Sequence, residues 1–228
     1  MKDELGRDIN YLRISVTDRC NLRCRYCMPE EGIEKKEHLD ILSLEEVFEV
    51  VKVCADLGTN KIRITGGEPL VRKGLTGLIE KITALEGIKD LALTTNGSLL
   101  KRYARELKKA GLNRINISLD TMDDKKYEYL TRGGKLKDVL EGFREALEVG
   151  LEPIKLNTVL TKGFNDDEIG DFIKLTQNYD IDVRFIELMP LGHAAGFASE
   201  HYISNLVVLE RYKELEPVEA TDKSRPTM

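Results

Sequence analysis

Long hydrophobic runs are missing from this chain. Nowhere in its 228 residues does an apolar stretch approach the roughly 20 residues that a membrane-spanning helix needs. The opening segment, 1–10, is polar and lacks the apolar core of a secretory signal. These two absences predict a cytoplasmic protein with no membrane partner.

An excess of positive charge is missing as well. The chain has 35 Lys and Arg residues against 40 Asp and Glu residues, which gives a formal net charge of −5. Nucleic-acid binding relies on a basic face that neutralises phosphates, so this balance predicts no nucleic-acid partner. A basic pocket stays compatible with it, because net charge says nothing about how the charges are distributed.

Cysteine is scarce, and three of the four cysteines lie close together. Cys20, Cys24 and Cys27 form a CxxxCxxC spacing directly after a predicted strand. In a reducing cytosol, clustered cysteines are expected to ligate a metal rather than to form disulfides. Cys54 stands alone in a predicted helix, where an ordinary buried cysteine is expected.

The spacing of the three cysteines favours an iron–sulfur cluster. Thiolates bind iron–sulfur clusters and zinc alike. Three ligands on a four-iron cluster leave one iron open to chelate a small molecule. A closed zinc site would need a fourth ligand; His38 is the nearest histidine, and no second CxxC pair occurs. Structural zinc therefore stays as the alternative.

Short strands alternate with amphipathic helices along most of the chain. Such alternation implies right-handed crossovers, a parallel sheet and an α/β fold. After Pro190 it stops, which predicts a core over 1–190 and a C-terminal extension over 191–228. The extension reads as a loop over Leu191–His201 and a helix over Ile203–Leu215. The six predicted strands are Tyr11–Thr17, Lys61–Thr65, Asp90–Thr95, Asn113–Asp120, Pro153–Leu160 and Asp182–Glu187.

The residue pattern within the strands favours a partial (β/α)6 barrel, open on one edge, over a doubly wound sheet. Strands of a doubly wound sheet are mostly apolar on both faces. Here one face is apolar and the other is polar or cationic, which suits a lumen that holds a large polar ligand. Edge strands that face water are the alternative. The polar set is Arg13, Ser15, Thr17, Lys61, Arg63, Thr65, Arg114, Asn116, Ser118, Lys155, Asn157 and Arg184.

Two motifs together resemble the radical S-adenosylmethionine (SAM) superfamily. The first is the CxxxCxYC loop, with Tyr26 before its last cysteine, and the second is Gly66-Gly67-Glu68-Pro69 after the second strand. The resemblance implies a 4Fe–4S cluster ligated by Cys20, Cys24 and Cys27, with SAM on its open iron. It also implies that the glycine segment holds the methionine end of SAM.

Further segments resemble the GTP 3′,8-cyclase family of molybdenum cofactor biosynthesis. The similarity extends from about residue 3 to about residue 218. The segments are Asn10–Cys20, Arg63–Leu70, Leu93–Gly97, Asn116–Asp120 and Phe185–Pro190.

This resemblance implies a role for residues at matching positions. Tyr26, Gly67, Ser118 and Met189 would contact SAM. Arg13, Arg63, Thr94 and Lys155 would contact GTP, and Lys61 and Arg184 would lie near its phosphates. The cations among them already fall on the polar strand face. Such a group is costly without an anion, and a triphosphate supplies one.

The implied activity is that of a lyase. A 5′-deoxyadenosyl radical from SAM would take a hydrogen from the ribose 3′ carbon of GTP, and the carbon radical would close on guanine to give 3′,8-cyclo-7,8-dihydro-GTP. Two alternatives stay open. One is radical SAM chemistry on another substrate, such as a peptide, and the other is a non-catalytic cluster-binding or partner-binding remnant.

In one respect the sequence departs from the family pattern. The cyclase family has a second cluster, held by three C-terminal cysteines, that binds the guanine base. No cysteine follows Cys54 here, so the second-cluster segment is expected to be absent and the enzyme incomplete. The electron donor is not identified by the residues. A barrel edge exposed after the sixth strand would need a cover, and a homodimer is one solution.

Overall fold

The fold is built on one parallel sheet of six strands. A computed structural model describes residue 2 and residues 4–33, 40–190 and 195–218. Within these residues the strands lie side by side in chain order, β1 to β6, and each neighbouring pair is parallel. The strands are β1 Tyr11–Ser15, β2 Lys61–Thr65, β3 Asp90–Thr95, β4 Arg114–Ser118, β5 Ile154–Leu160 and β6 Ile181–Glu187.

Helices connect the strands on one face of this sheet. Parallel neighbours joined in sequence need crossovers of the same hand, which place the helices on one side and curl the sheet into a partial barrel. The α/β fold with a partial (β/α)6 barrel, open rather than closed, is confirmed. The helices are α1 Leu44–Asp56, α2 Leu75–Thr83, α3 Leu100–Lys109, α4 Asp124–Thr131, α5 Leu136–Glu148, α6 Ile169–Asn178, α7 Ala195–His201 and α8 Leu206–Arg211.

Helix α1 begins where its sequence signal predicts. The backbone N–H of Glu46 donates to Oγ of Ser43 at 3.1 Å, and the backbone N–H of Ser43 donates to Oε2 of Glu46 at 2.7 Å. This reciprocal capping box satisfies two donors that the first helical turn would otherwise leave unpaired. Val47 and Val51 then face the sheet and are almost completely buried.

The two faces of the sheet differ as the residue alternation predicts. The outer face packs under the helices, and Ile64, Leu93 and Ile117 on this face have no exposed surface. On the inner face Arg13 lies beside Arg63, Asn116 beside Lys155, and Asn157 beside Arg184. The polar strand residues therefore share one surface, on which functional groups can converge.

The C-terminal part of the chain corrects one prediction. A loop over Leu191–His201 is wrong for its second half, where α7 forms; residues 191–194 lie outside the described part. Phe197 and His201, four residues apart, bring their rings to 4.5 Å, and Ala198 is fully buried. So short a helix offers too few residues for a periodic signal. The helix predicted over Ile203–Leu215 is present but shorter, as α8.

No helix in the described ranges is long and apolar enough to cross a membrane. The longest of them belong to the layer that packs against the sheet.

Two helical glycines should respond oppositely to substitution by alanine. A Cβ at Gly142 in α5 would lie 2.6 Å from the carbonyl oxygen of Gly97, whereas a Cβ at Gly77 in α2 would meet nothing within 4 Å. We expect Gly77→Ala to raise the free energy of unfolding by about 0.5–1 kcal/mol, because alanine is the better helix former. Gly142→Ala should lower it by about 1–3 kcal/mol through overpacking. Urea denaturation checks both, and the same sign for the two variants would contradict the packing described here.

Candidate active site

The cysteine loop follows β1 at the carboxyl end of the sheet. Its three thiols are free; Cys20 and Cys24 are partly buried and Cys27 is exposed. The backbone N–H groups of Cys27 and Met28 both donate to the carbonyl of Cys24 at 2.9 Å. These bonds close a tight turn that contains the last two cysteines of the motif.

The end of α4 clamps the other side of the loop. The N–H of Arg25 donates to the carbonyl of Leu130 at 2.9 Å. Arg132, at a left-handed φ of 55°, donates through Nη1 to the carbonyls of Arg23 at 2.7 Å and Met28 at 2.9 Å. The loop backbone is thus held by a neighbouring helix rather than by its own short segment alone.

The glycine pair after β2 packs directly on the start of the cysteine loop. The N–H of Gly67 donates to the carbonyl of Thr17 at 2.7 Å. A Cβ on Gly67 would lie 2.3 Å from the carbonyl oxygen of Arg19, and a Cβ on Gly66 would lie 2.3 Å from that of Thr17. Only glycine permits this approach of two backbones, so the pair sets the position of the cysteine loop.

Glu68 is a fully buried carboxylate that joins the ends of β2 and β3. It accepts hydrogen bonds from Oγ1 of Thr95 at 2.7 Å and from the N–H of Asn96 at 2.6 Å. The side chain of Asn96 reaches Oδ1 of Asn21 at 2.9 Å and Sγ of Cys20 at 3.8 Å. Burial raises the pKa of Glu68, and its hydrogen bonds act in the opposite direction.

The thiols lie close enough to interact electrostatically. Burial raises the pKa of Cys24, and the negative charges of Asp120, Cys20 and Cys27 raise it further. Burial likewise raises the pKa values of Cys20 and Cys27. Cations that bind thiolates would therefore displace protons here. In the described ranges no group of three His, Cys, Asp or Glu side chains could hold a single metal ion. The ligands of a four-iron cluster do not converge on one ion, since each binds a different iron.

Tyr26 is fixed by a carboxylate from the end of β4. Its hydroxyl donates to Oδ2 of Asp120 at 2.7 Å, while the N–H of Val159 donates to Oδ1 at 2.8 Å. Burial raises the pKa of Asp120 to about 6 against the opposing effect of these two hydrogen bonds. Ser118 lies two residues earlier on β4 and is partly exposed. Met189 follows β6 and is 63% exposed.

A cavity of about 450 Å³ extends from the glycine pair along the inner face of β1 and β2. Oδ1 of Asp18 and Nε of Arg63 are buried and have no hydrogen-bond partner among the described residues. Unsatisfied buried groups of both signs fit a site for a charged, polar ligand. The lining residues are Arg13, Ser15, Thr17, Asp18, Thr65, Gly66 and Gly67.

The expectation that the inner cations depend on an external anion is wrong for Lys155, which has an anionic partner within the chain. Lys155 is only 1% exposed, and its Nζ forms an ion pair with Asp182 on the adjacent strand. The register places the two residues side by side. The sequence signal for this partner was the acidic residue at the start of β6, which the alternation of β6 puts on the inner face. Thr94, also on this face, accepts a hydrogen bond from Nδ2 of Asn116 at 3.3 Å.

The structure thus brings the candidate residues into two groups. The cysteines, Tyr26, Gly67, Ser118 and Met189 lie at the carboxyl ends of the strands. Arg13, Lys61, Arg63, Thr94, Lys155 and Arg184 lie on the inner face of the sheet. His38, the nearest histidine for a zinc site, lies outside the described residues.

A sheet of this topology with a three-cysteine loop after its first strand has a family match. A model described as the Radical SAM superfamily matches residues 14–176. The chain belongs to this superfamily, whose members use a 4Fe–4S cluster and SAM.

Curated relatives narrow the family further. The chain is 60% identical over 225 residues to "GTP 3',8-cyclase" of Peptoclostridium acidaminophilum, covering 98% of this chain and 69% of the relative. It is 56% identical over 226 residues to "GTP 3',8-cyclase" of Alkaliphilus oremlandii, covering 99% of this chain and 70% of the relative. Within the superfamily, the chain belongs to the GTP 3′,8-cyclase family, and it spans about 70% of the length of these relatives.

Solved structures share the fold at low sequence identity. SuiB of Streptococcus suis, bound to precursor peptide SuiA, matches with a TM-score of 0.67 and 22% identity over 90% of this chain and 44% of that chain. Coproporphyrinogen III oxidase of Escherichia coli, described as a radical SAM enzyme, matches with a TM-score of 0.59 and 12% identity over 90% of this chain and 50% of that chain. At these identities the likeness concerns the fold alone.

Several residues that shape the site were not singled out from the sequence. Asp120 and Asn96 lay inside motifs that were recognised, but nothing in one sequence indicated which atoms they contact. Arg132 precedes two glycines, a sequence that indicates a turn but not a contact with the cysteine loop. Asp182 carried a partial signal, because the alternation of β6 puts it on the same face as Arg184; the register that sets it beside Lys155 is visible only in the structure.

Substitution of Gly67 tests whether the glycine pair holds the cysteine loop in the position that binds iron. We expect Gly67→Ala to displace the cysteine loop, because the new Cβ would collide with the Arg19 carbonyl. Iron bound after anaerobic reconstitution should fall by about tenfold or more, as expected when the groups that orient metal ligands are disturbed. Gly77→Ala, whose Cβ meets nothing within 4 Å, is the control and should bind iron like the parent. Equal iron in Gly67→Ala would refute the role given to the glycine pair.

Proposed function

We propose that this chain is a radical SAM lyase that acts on GTP to form 3′,8-cyclo-7,8-dihydro-GTP, a step in molybdenum cofactor biosynthesis. One observation carries the proposal: a cationic inner face lies in the same partial barrel whose rim holds the three-cysteine loop. Anion recognition and cluster binding therefore meet in one lumen. The family membership supplies the particular substrate.

The cysteine loop is the proposed cluster site. Cys20, Cys24 and Cys27 would ligate three irons, and Tyr26, Gly67, Ser118 and Met189 would contact SAM. A 4Fe–4S cluster and SAM held there, with electrons from a separate donor, would supply a 5′-deoxyadenosyl radical with release of methionine, for abstraction of hydrogen from the ribose 3′ carbon of GTP. The donor set fits, since three free thiols interact with one another and no disulfide removes them.

The inner face is the proposed substrate site. Arginine presents a fork of N–H donors that matches phosphate oxygens, and a desolvated cation gains most from an anion. Arg63 has a buried Nε without a partner among the described residues, which suits it to this task. The proposed GTP contacts are Arg13, Arg63, Thr94, Lys155, Lys61 and Arg184.

The protein contributes position and exclusion of water. Asp120 orients Tyr26, and the Glu68 network holds the turn of Asn96 against the cysteine loop. The ion pair with Asp182 would hold the ammonium group of Lys155 in a fixed position before the nucleotide binds. Such preorganisation keeps radical and ribose close while competing reactions are suppressed.

The remaining proposals concern the whole protein. The core would end near residue 190, and the segment after it would be the start of a C-terminal extension. Guanine would then need contacts beyond those of the described barrel, because no cysteine follows Cys54. We also expect a cytoplasmic location, a separate electron donor and a cover, such as a second copy, for the open sheet edge.

Cysteine substitutions test the cluster site directly. Cys24→Ser should lower bound iron to near background, because a serine hydroxyl replaces the most buried of the three thiols. Cys54→Ser, on α1 and away from the loop, should reconstitute as the parent does. Iron content and the visible absorption of the reconstituted proteins are the measurements. A Cys24→Ser protein that keeps its iron would remove the proposed ligand set.

Product analysis tests the reaction. The reconstituted chain is incubated anaerobically with reductant and SAM, with and without GTP, and assayed for 5′-deoxyadenosine and cyclised nucleotide. Both products together would establish the full reaction in this chain. Deoxyadenosine alone would mean that SAM is cleaved but guanine is not positioned, and protein that holds iron yet yields neither product would favour a non-catalytic role.

A substitution on the inner face identifies the substrate. Arg63→Ala should weaken GTP binding by about tenfold or more, as expected on loss of a charge-assisted contact. Arg144→Ala, an exposed arginine on α5, is the matched control and should bind GTP like the parent. Parent protein that cleaves SAM but does not bind GTP would point to a different substrate.

A further inference from the structure

Three arginines stand at one level of the inner face. In the sheet register Arg13 pairs with Arg63, Arg63 with Ala92, and Ala92 with Arg114. We call Arg13, Arg63 and Arg114 the arginine row. The residue between the last two carries only a methyl group, so no larger side chain separates them at this level. Neighbouring strands lie about 4.8 Å apart, which puts the backbones of Arg63 and Arg114 about 10 Å from each other.

Arg114 is held in a fixed orientation by Asp90. Its Nε donates to Oδ1 of Asp90 at 2.8 Å, and its Nη2 donates to Oδ2 at 2.6 Å. This forked ion pair joins β4 to β3 and uses two of the three guanidinium nitrogens. The third, Nη1, is buried and has no hydrogen-bond partner among the described residues. One oriented donor group is therefore left over for a ligand.

The arginine row carries more positive charge than its own carboxylate neutralises. Burial lowers the pKa of Arg63; repulsion from Arg114 and Arg13 lowers it further, while Tyr11 and Asp90 act in the opposite direction. The three guanidinium groups are thus near enough to interact. Asp90 balances one of the three charges, and an anion lying over the row would balance the rest.

The row lies away from the cysteine loop. Arg114 is the first residue of β4, and Ser118, a proposed SAM contact, is the last. Four residues along a parallel strand correspond to about 13 Å at about 3.3 Å per residue. A nucleoside can occupy this interval, with its sugar toward the loop and its phosphates over the row.

We propose that Arg114, oriented by Asp90, is a further substrate-binding residue that joins Arg13 and Arg63 in binding the terminal phosphates of a nucleoside triphosphate. The inference rests on the proposed function and deepens it, because the family resemblance implies no role for Arg114. An ion pair that only joined β3 to β4 would not explain why Nη1 of Arg114 is buried without a partner at the same level of the sheet as Arg13 and Arg63.

Nucleotides of different phosphate length test the assignment. Dissociation constants for GTP and GMP are measured by anaerobic calorimetry with the reconstituted parent, Arg114→Gln and the exposed control Arg144→Gln. We expect Arg114→Gln to weaken GTP binding by about tenfold to a hundredfold and GMP binding by less than about threefold. Arg144→Gln should match the parent for both ligands.

Asp90→Asn separates the ion pair from the cation. It breaks the same pair between β3 and β4 but keeps the guanidinium, so its loss of GTP affinity should be smaller than that of Arg114→Gln. Equal losses in the two variants, or GMP weakened as strongly as GTP, would mean that Arg114 acts through structure alone and would overturn the proposal.

Folding and the proposed function are controlled separately. If Arg114→Gln does not fold, Arg114→Lys takes its place; a single ammonium cannot both fork to Asp90 and reach a phosphate, so GTP affinity should still fall at least threefold. Parent protein that binds GTP while every Arg114 variant binds it equally would refute the inference and leave the proposed function standing. Parent protein that binds no GTP would refute both.

Discussion

The N–H of Gly67 donates to the carbonyl of Thr17, and the N–H of Glu68 donates to that of Arg19. Through these bonds the backbone after β2 lies against the backbone that leads into the cysteine loop. No side chain fits between them, because a Cβ at Gly67 would sit 2.3 Å from an oxygen. The rest of the site is arranged around this contact. Glu68, buried beside it, reaches Asn96, and Asn96 reaches Cys20, so three strand ends are tied together by a few short bonds.

The inner face combines cations with a small number of carboxylates, and the carboxylates set the orientation of the cations. Asp182 pairs with Lys155, and Asp90 pairs with Arg114. In both cases the partner comes from the adjacent strand, so the sheet register decides which charges meet. A lumen built in this way stays partly neutralised without its ligand, which reduces the cost of keeping cations out of water. The same pairs hold donors in place for an incoming anion.

Much of this could be predicted from the sequence, because it rests on local repetition. Alternation of apolar and polar residues in β1, β2 and β4 indicates both the strands and their inner face. The spacing of Cys20, Cys24 and Cys27 indicates that they ligate one metal cluster. The partners of the cations could not be predicted with the same ease. The Asp90–Arg114 and Lys155–Asp182 pairs depend on the register between consecutive strands, which the alternation of residues within each strand does not specify. The helix Ala195–His201 was missed because a single pair of rings and one buried alanine leave no periodic trace.

The order of the contacts along the chain has a consequence for synthesis. Within the described residues, the groups described above as bonded directly to the cysteine loop lie between Thr17 and Arg132, and Val159 on β5 supports the loop only through Asp120. The N-terminal part of a chain is synthesised first, so these groups are made before β5 and β6. The direct contacts of the loop are therefore all present in the growing chain before Lys155 and Arg184 are added to it. In the order of synthesis, the cysteines proposed for the cluster thus precede two of the cations proposed for the substrate.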